Sequence, residues 1–148
     1  MSKIEKSVSS FKEGFSCSQA ILSTYGQELG LDKNTALKVS GAFGGGMAGM
    51  AETCGAVTGA FMVIGLKYGK IKPEDEESKR KTYALVKDFA KRFKAKNSSV
   101  ICKELLGCDI STPEGVKIFK DKNLINTLCP KFVQDAAEII EEILNDKK

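Results

Sequence analysis

The sequence predicts an all-α fold, a single-domain helical bundle of about six to eight helices of unequal length over residues 1–148. Three observations carry this. Apolar residues recur at helical spacing in successive segments, capping residues or proline precede those segments, and no stretch alternates apolar and polar residues over strand length. Hydrophobic residues are 42% of the 148 and charged residues 28%, a globular composition with enough apolar side chains for a core. No repeat, linker or second domain is visible.

The elements follow in order. Residues 3–12 carry Ile4, Val8 and Phe11 near helical spacing, and Gly14 interrupts them. Ser16-Cys17-Ser18-Gln19 is a capping-box pattern, with Ser16 as N-cap and Cys17 as the first helical residue. That helix runs through Ala20, Ile21, Leu22 and Tyr25 to Leu29, and Gly30 stops it. Asp32 or Asn34 caps the next helix, which reaches about Phe43. The run Gly-Gly-Gly-Met-Ala-Gly-Met over 44–50 is hard to keep helical and predicts a tight loop that another backbone can approach closely.

Thr53 caps the following helix, with Cys54 at its first position and Gly69 at its end. Gly55 and Gly59, and Ala56 and Ala60, form a small-residue stripe suited to close helix packing, within one chain or across a homodimer. Pro73 and the acids 74–77 suit a helix start, predicting a helix over 73–95 with Tyr83, Val86, Phe89, Ala90 and Phe93 as its apolar stripe. Asn97, Ser98 and Ser99 break the chain and cap a short helix carrying Cys102, Leu105 and Leu106, ended by Gly107. Thr112-Pro113-Glu114 starts another helix. Cys129-Pro130 opens the last, through Phe132, Val133, Ala136, Ile139, Ile140 and Ile143, with Cys129 at its N-cap.

Five cysteines and no histidine bound the chemistry. Without histidine there is no Ser/His or Cys/His catalytic pair, no His-containing zinc site and no histidine-ligated haem. No catalytic residue is assigned. The start of the sequence lacks the apolar run of a signal peptide, and the uncharged stretch 53–66 is too short to span a bilayer, so the expectation is a cytoplasmic protein without membrane insertion. In a reducing compartment an odd set of cysteines points to metal binding or thiol chemistry and away from a disulfide framework.

Cys17, Cys54 and Cys129 fall at predicted helix N-termini and Cys102 in a first turn. Unpaired N–H groups there favour thiolate over thiol, and would equally stabilise an anionic metal–sulfur centre. No CxxC pair is present, so any shared site draws on four separated segments. Cys108, after Gly107, is read as a packing residue, with a fifth ligand or a resolving thiol as the other roles open to it.

Taken together, Cys17 in GFSCSQAIL, the Cys54-Gly55-Ala56-Val57-Thr58-Gly59 motif preceded by FGGGMAGMAET, Cys102 in CKELLG and Cys129 in CPKFVQDAAEI carry a resemblance. The chain resembles, over nearly its whole length, the redox-active C_GCAxxG_C_C family, named for a cysteine, a CGAxxG-type motif and two further cysteines. The resemblance implies four shared cysteines and a redox role, and leaves Cys108 outside the set. It supplies no substrate.

Three functions compete. The first is a redox protein whose four cysteines bind an iron–sulfur cluster, [2Fe-2S] or [4Fe-4S], for electron transfer or redox sensing with an unidentified electron-transfer partner. The second is a metal-free thiol–disulfide protein in which Cys17 or Cys54 attacks. The third is a non-enzymatic binding module with a structural zinc site held by the four cysteines. The Gly-rich run is not followed by Gly-Lys-Ser/Thr, which argues against a phosphate loop. Segment 79–96 holds eight basic residues and one acid, but its aromatics sit at core spacing, so a solvated basic face is favoured over nucleic-acid binding.

Overall fold

A computed structural model describes residues 1–145. Helix α1 (Lys3–Lys12) is opened by Ser2, whose hydroxyl accepts from the Glu5 N–H at 3.1 Å. Helix α2 (Cys17–Gly26) has the predicted capping box: Ser16 Oγ accepts from Gln19 N at 3.3 Å, and Gln19 Oε1 accepts from Ser16 N at 3.0 Å. It tightens into a 3₁₀ turn over Gln27–Leu29 and stops at Gly30, where φ is +89°. Asp32 caps α3 (Lys33–Ser40) by accepting from Thr35 N at 3.0 Å. A further 3₁₀ turn, Gly41–Phe43, leads into the glycine loop.

The remaining helices are α4 (Gly55–Tyr68), α5 (Glu76–Asn97), α6 (Cys102–Leu106), α7 (Pro113–Asp121), α8 (Leu124–Thr127) and α9 (Cys129–Leu144). The fold is all-α, with seven longer helices and the short α6 and α8 among the described residues. The only β-type pairing among the described residues is one antiparallel bridge, Thr53 with Ile101.

Several boundaries differ from expectation. Cys54 itself is the N-cap of α4, because Thr53 is drawn into the bridge. Likewise Leu128 precedes α9 and Cys129 is its first residue, since the short α8 runs almost directly into it. Helix α5 starts at Glu76, not Pro73: Asp75 accepts from Ser78 N at 3.0 Å and fixes the start three residues later. Tyr83 is 57% exposed and lies outside the apolar stripe of α5.

Helix α9 is the central element, buried through Phe132, Val133, Ala136, Ile139, Ile140 and Ile143 and packed by α1, α4 and α5. Phe61, Phe89, Phe93 and Phe132 form an aromatic chain across α4, α5 and α9, with successive ring centroids 5.9, 6.0 and 6.3 Å apart. The small-residue stripe of α4 is used within the chain. A Cβ at Gly59 would lie 3.0 Å from Ser18 O and 3.1 Å from Ile21 Cβ, so α2 rests on the backbone of α4. Gly59→Ala should therefore push α2 and α4 apart and lower stability by about 1–3 kcal/mol, read as a lower urea midpoint. An unchanged midpoint would show that the contact relaxes freely. Among the described residues no helix is long and apolar enough to cross a membrane.

Candidate functional site

Helix α2 must begin at Cys17, because Ser16 and Gln19 cap each other; this puts the Cys17 thiol at the α2 N-terminus. Close approach of α2 to α4 then brings Cys17 to the start of α4. A Cβ at Gly55 would fall 3.2 Å from Cys17 Cβ and 3.0 Å from Ser18 N, a space only glycine leaves open.

Cys54 and Cys102 are joined by backbone pairing. Around the Thr53–Ile101 bridge, Cys54 N donates to Val100 O at 2.8 Å and Cys102 N donates to Glu52 O at 2.6 Å. This ties the entry of α4 to the entry of α6. Cys129 arrives on the first turn of α9, the helix against which α4 also packs.

The glycine loop closes one side. Gly45, Gly46 and Gly49 have φ of +64°, +69° and +76°. Met47, Ala48 and Ala51 share positive φ, at 70°, 53° and 60°, where a side chain costs about 1–2 kcal/mol per residue. Such strain persists only where surrounding contacts over-determine it. Here Ala51 N and Glu52 N donate back to Gly45 O and Gly46 O at 3.1 and 2.8 Å, folding the loop on itself. A Cβ at Gly46 would sit 2.7 Å from Cys102 Cβ, so the loop backbone lies directly on that cysteine. The N–H groups of Gly45 and Gly46 have no backbone acceptor among the described residues.

These elements surround one cavity of about 400 Å³. Cys17, Cys54, Cys102 and Cys129 all line it, together with Gly44, Gly45, Gly46 and Gly55. Its outer wall is apolar, with Phe15, Leu105, Ile110, Phe119 and Phe132. The structure thus brings the four sequence-singled cysteines together. Cys108 is buried in the α6–α7 connection and does not line the cavity. The wall residues Ile110 and Phe119 are not readable from the sequence, because they come from α7 and its approach, which only the tertiary fold places here.

The thiols feel one another. A hydrogen bond shared by Cys17 and Cys54 holds Cys54 below the ordinary thiol range; burial opposes this, and the N–H groups of Ala56 and Val57 add to it. The same hydrogen bond, with burial and the charges of Cys54, Cys129 and Cys102, pushes Cys17 well up. Burial first, then neighbouring Cys54, Cys129, Cys108 and Asp109, push Cys102 up to about 12. Burial, then Cys54 and Cys108, push Cys129 up to about 12. Cys54 is thus the most acidic thiol of the four, and Cys17, Cys102 and Cys129 hold their protons more tightly.

The metal-free chain should show this as ultraviolet thiolate absorbance. Amplitude attributable to Cys54 should rise below the ordinary thiol pKa, while Cys102 and Cys129 stay protonated until about pH 12. Cys17→Ala should move the early step upward by removing the donor. An early step that survives Cys54→Ser would assign the thiolate elsewhere.

Among the described residues, no three cysteine, aspartate or glutamate side chains are arranged to hold one metal ion. A tetrahedral zinc would draw four sulfurs to about 2.3 Å from a single point. A cluster distributes its thiolates over different irons. Four cysteine side chains lining one cavity are a donor set of the kind that can hold such a cluster.

A family model described as "Putative redox-active protein (C_GCAxxG_C_C)" matches residues 15–143. No curated protein and no solved structure matches the chain. The pattern in that description writes glycine before cysteine, whereas here Cys54 precedes Gly55. In this chain the order is fixed sterically, since the position after Cys54 has no room for a side chain beside Ser18.

Proposed function

The chain belongs to that redox-active family, and on this premise we propose that Cys17, Cys54, Cys102 and Cys129 together hold an iron–sulfur cluster used for electron transfer or redox sensing. The observation that carries the reading is four thiols, from four separate helix starts, lining one largely apolar cavity. When bound, the cluster supplies one-electron redox chemistry at a potential set by its surroundings.

The chain's own residues do the rest. Cys54, whose thiol is held below the ordinary range, offers the ligand that gives up its proton most readily. Cys17, Cys102 and Cys129 must each give up a proton on loading, so iron uptake should release protons and weaken as pH falls. Gly45 and Gly46 line the cavity with N–H groups that have no backbone acceptor among the described residues, and such groups would stabilise the more negative state by donating to sulfur. Phe15, Phe119 and Phe132 limit water.

Anaerobic reconstitution with iron and sulfide tests this by protection. The loaded chain should leave only Cys108 open to alkylation after rapid unfolding, with the other four shielded while iron remains bound. Equal labelling of all five cysteines with and without iron would count against it.

Cys17 and Cys54 lining one cavity, with the thiol of one pushed up and that of the other down by their mutual influence, favour a second reading, a metal-free dithiol. The Cys54 thiolate would attack a substrate disulfide and release one thiol. Cys17 would then lose its proton and displace the second thiol, leaving a Cys17–Cys54 disulfide while the substrate gains two electrons. Mass spectrometry of trapped thiols would show that pair, and no other, changing state between oxidant and reductant.

A further inference from the structure

The outer face of α5 carries a charge pattern that the fold does not need. Arg80, Ala84, Lys87, Lys91 and Lys94 are all exposed, and their spacing puts them within about 80° of arc on one side of the helix. Phe89 and Phe93 occupy the opposite side and are fully buried. From Arg80 to Lys94 the stripe runs about 21 Å at the rise of an α-helix.

No acid interrupts it. The one acid in the segment, Asp88, is held by Arg92 at 3.0 Å, and Arg92 also reaches Glu142 at 2.8 Å. The acids of neighbouring α9 are engaged too: Glu138 with Lys96 at 3.2 Å, Asp135 with Lys131 at 2.7 Å, and Glu141 with the Tyr25 hydroxyl at 3.1 Å. Arg80, Lys87, Lys91 and Lys94 have no ion-pair partner among the described residues. Lys87 with Lys91, and Lys91 with Lys94, are like-charge neighbours at i,i+4 and i,i+3, which oppose helix formation. A local cost that the fold does not use points to a partner.

Along the chain, the stripe is followed by the segment that carries Cys102. Past Lys94 the helix ends at Asn97, whose side chain donates to Asp135 at 3.1 Å on the first turns of α9, close after Cys129. Ser99 follows, its hydroxyl accepting from Ile101 N at 2.9 Å, and Cys102 comes next along the chain. The C-terminal end of α5 is thus joined along the chain to the segment that carries Cys102 and hydrogen-bonded to α9, the helix that begins with Cys129.

We propose that this α5 face docks an acidic one-electron carrier protein and delivers it to the cysteine centre. The proposal rests on the cluster reading above. One electron passes from the reduced carrier to the oxidised centre, so the carrier is oxidised by one electron and the centre reduced by one. A nucleic-acid face is disfavoured by the +4 net charge and by the lack of stacking aromatics: the neighbouring Tyr83 has Lys79 5.6 Å over its ring.

The test uses the iron-loaded full chain and reduced flavodoxin as the acidic probe, against a variant with Arg80→Glu, Lys87→Glu, Lys91→Glu and Lys94→Glu. Glutamate keeps helix propensity at exposed positions, and circular dichroism checks the fold. The native chain should react faster at low salt, and the variant about tenfold or more slower with the salt dependence abolished. Iron content and reduction by photoreduced deazaflavin, a small neutral donor, should be unchanged. Equal flavodoxin rates for the two chains overturn the docking face. So does stripe-dependent binding of duplex DNA without any flavodoxin effect. If the chain takes up no iron, the cluster reading has failed. Binding of oxidised flavodoxin, followed by fluorescence anisotropy, then decides the docking face alone: salt-sensitive binding lost in the variant upholds it, and equal binding overturns it.

Discussion

Cys54→Ser should abolish iron and sulfide retention while leaving the metal-free chain as stable as before, or slightly more so. Cys54 is the electrostatic centre of the set: its charge raises Cys17, Cys102 and Cys129, and it alone is biased toward thiolate. Removing it removes the ligand that deprotonates most readily. The same position is the N-cap of α4, where the cysteine side chain makes no capping hydrogen bond. Serine is a better N-cap than cysteine, its hydroxyl oxygen being the stronger acceptor for the first-turn N–H groups, a gain of about 0.5–1 kcal/mol. The two effects have opposite signs, so lost iron could not be blamed on a lost fold. Cys108→Ser is the matched control and should retain iron, because Cys108 does not line the cavity. Iron and sulfide analysis beside a urea titration reads both. Full iron in Cys54→Ser, or loss of iron in Cys108→Ser alone, would redraw the site.

Gly46→Ala should be strongly damaging, because it strikes the glycine loop that lies on Cys102. Its φ of +69° penalises any side chain, and the added Cβ would meet Cys102 Cβ and Glu52 N at 2.7 Å and Ala51 Cα at 2.8 Å. Two of these neighbours are backbone that is already committed, through Glu52 N donating to Gly46 O and Cys102 N donating to Glu52 O. Neither can move without opening the pairing that joins Cys102 to Cys54. A loss of about 2–4 kcal/mol is expected from the left-handed conformation and the overpacking together. Iron uptake should weaken in step, since the glycine wall shifts away from the sulfurs. Gly65→Ala gives the comparison: a Cβ there meets nothing within 4 Å, and stability should hold or rise slightly. Equal midpoints for Gly46→Ala and the native chain would show that the loop adapts.

What could be read from the sequence was what local chemistry decides. The Ser16–Gln19 box, Asp32 before α3, Thr112-Pro113 before α7 and the stop at Gly107 each act within a few residues, and each stands as the residues suggested. Helix α5 was misplaced because two start signals compete there, and Asp75, which reaches Ser78 N, outweighs Pro73. Tyr83 fits an apolar spacing yet faces solvent, since nothing packs over the outer side of that helix near its start.

The four cysteines were legible as a set, but not their meeting. Cys54 and Cys102 come together through an antiparallel pairing of two short non-helical stretches, too brief to leave any alternation in the sequence. The glycine run predicted close backbone approach, and the neighbour proved to be Cys102 itself. The stripe of Gly55 and Gly59 was equally open to a contact between chains; the short distances to Ser18 and Ile21 place it inside one.

The most direct test of the cluster reading is anaerobic purification of the native chain, followed by iron, zinc and acid-labile sulfide analysis with a visible spectrum on the same sample. A brown protein with near-equal iron and sulfide, about two to four of each per chain, bleaching on reduction, is the predicted result. A colourless protein that stays iron-free after reconstitution, with Cys17 and Cys54 cycling between dithiol and disulfide, would contradict it and leave the dithiol as the function of the site.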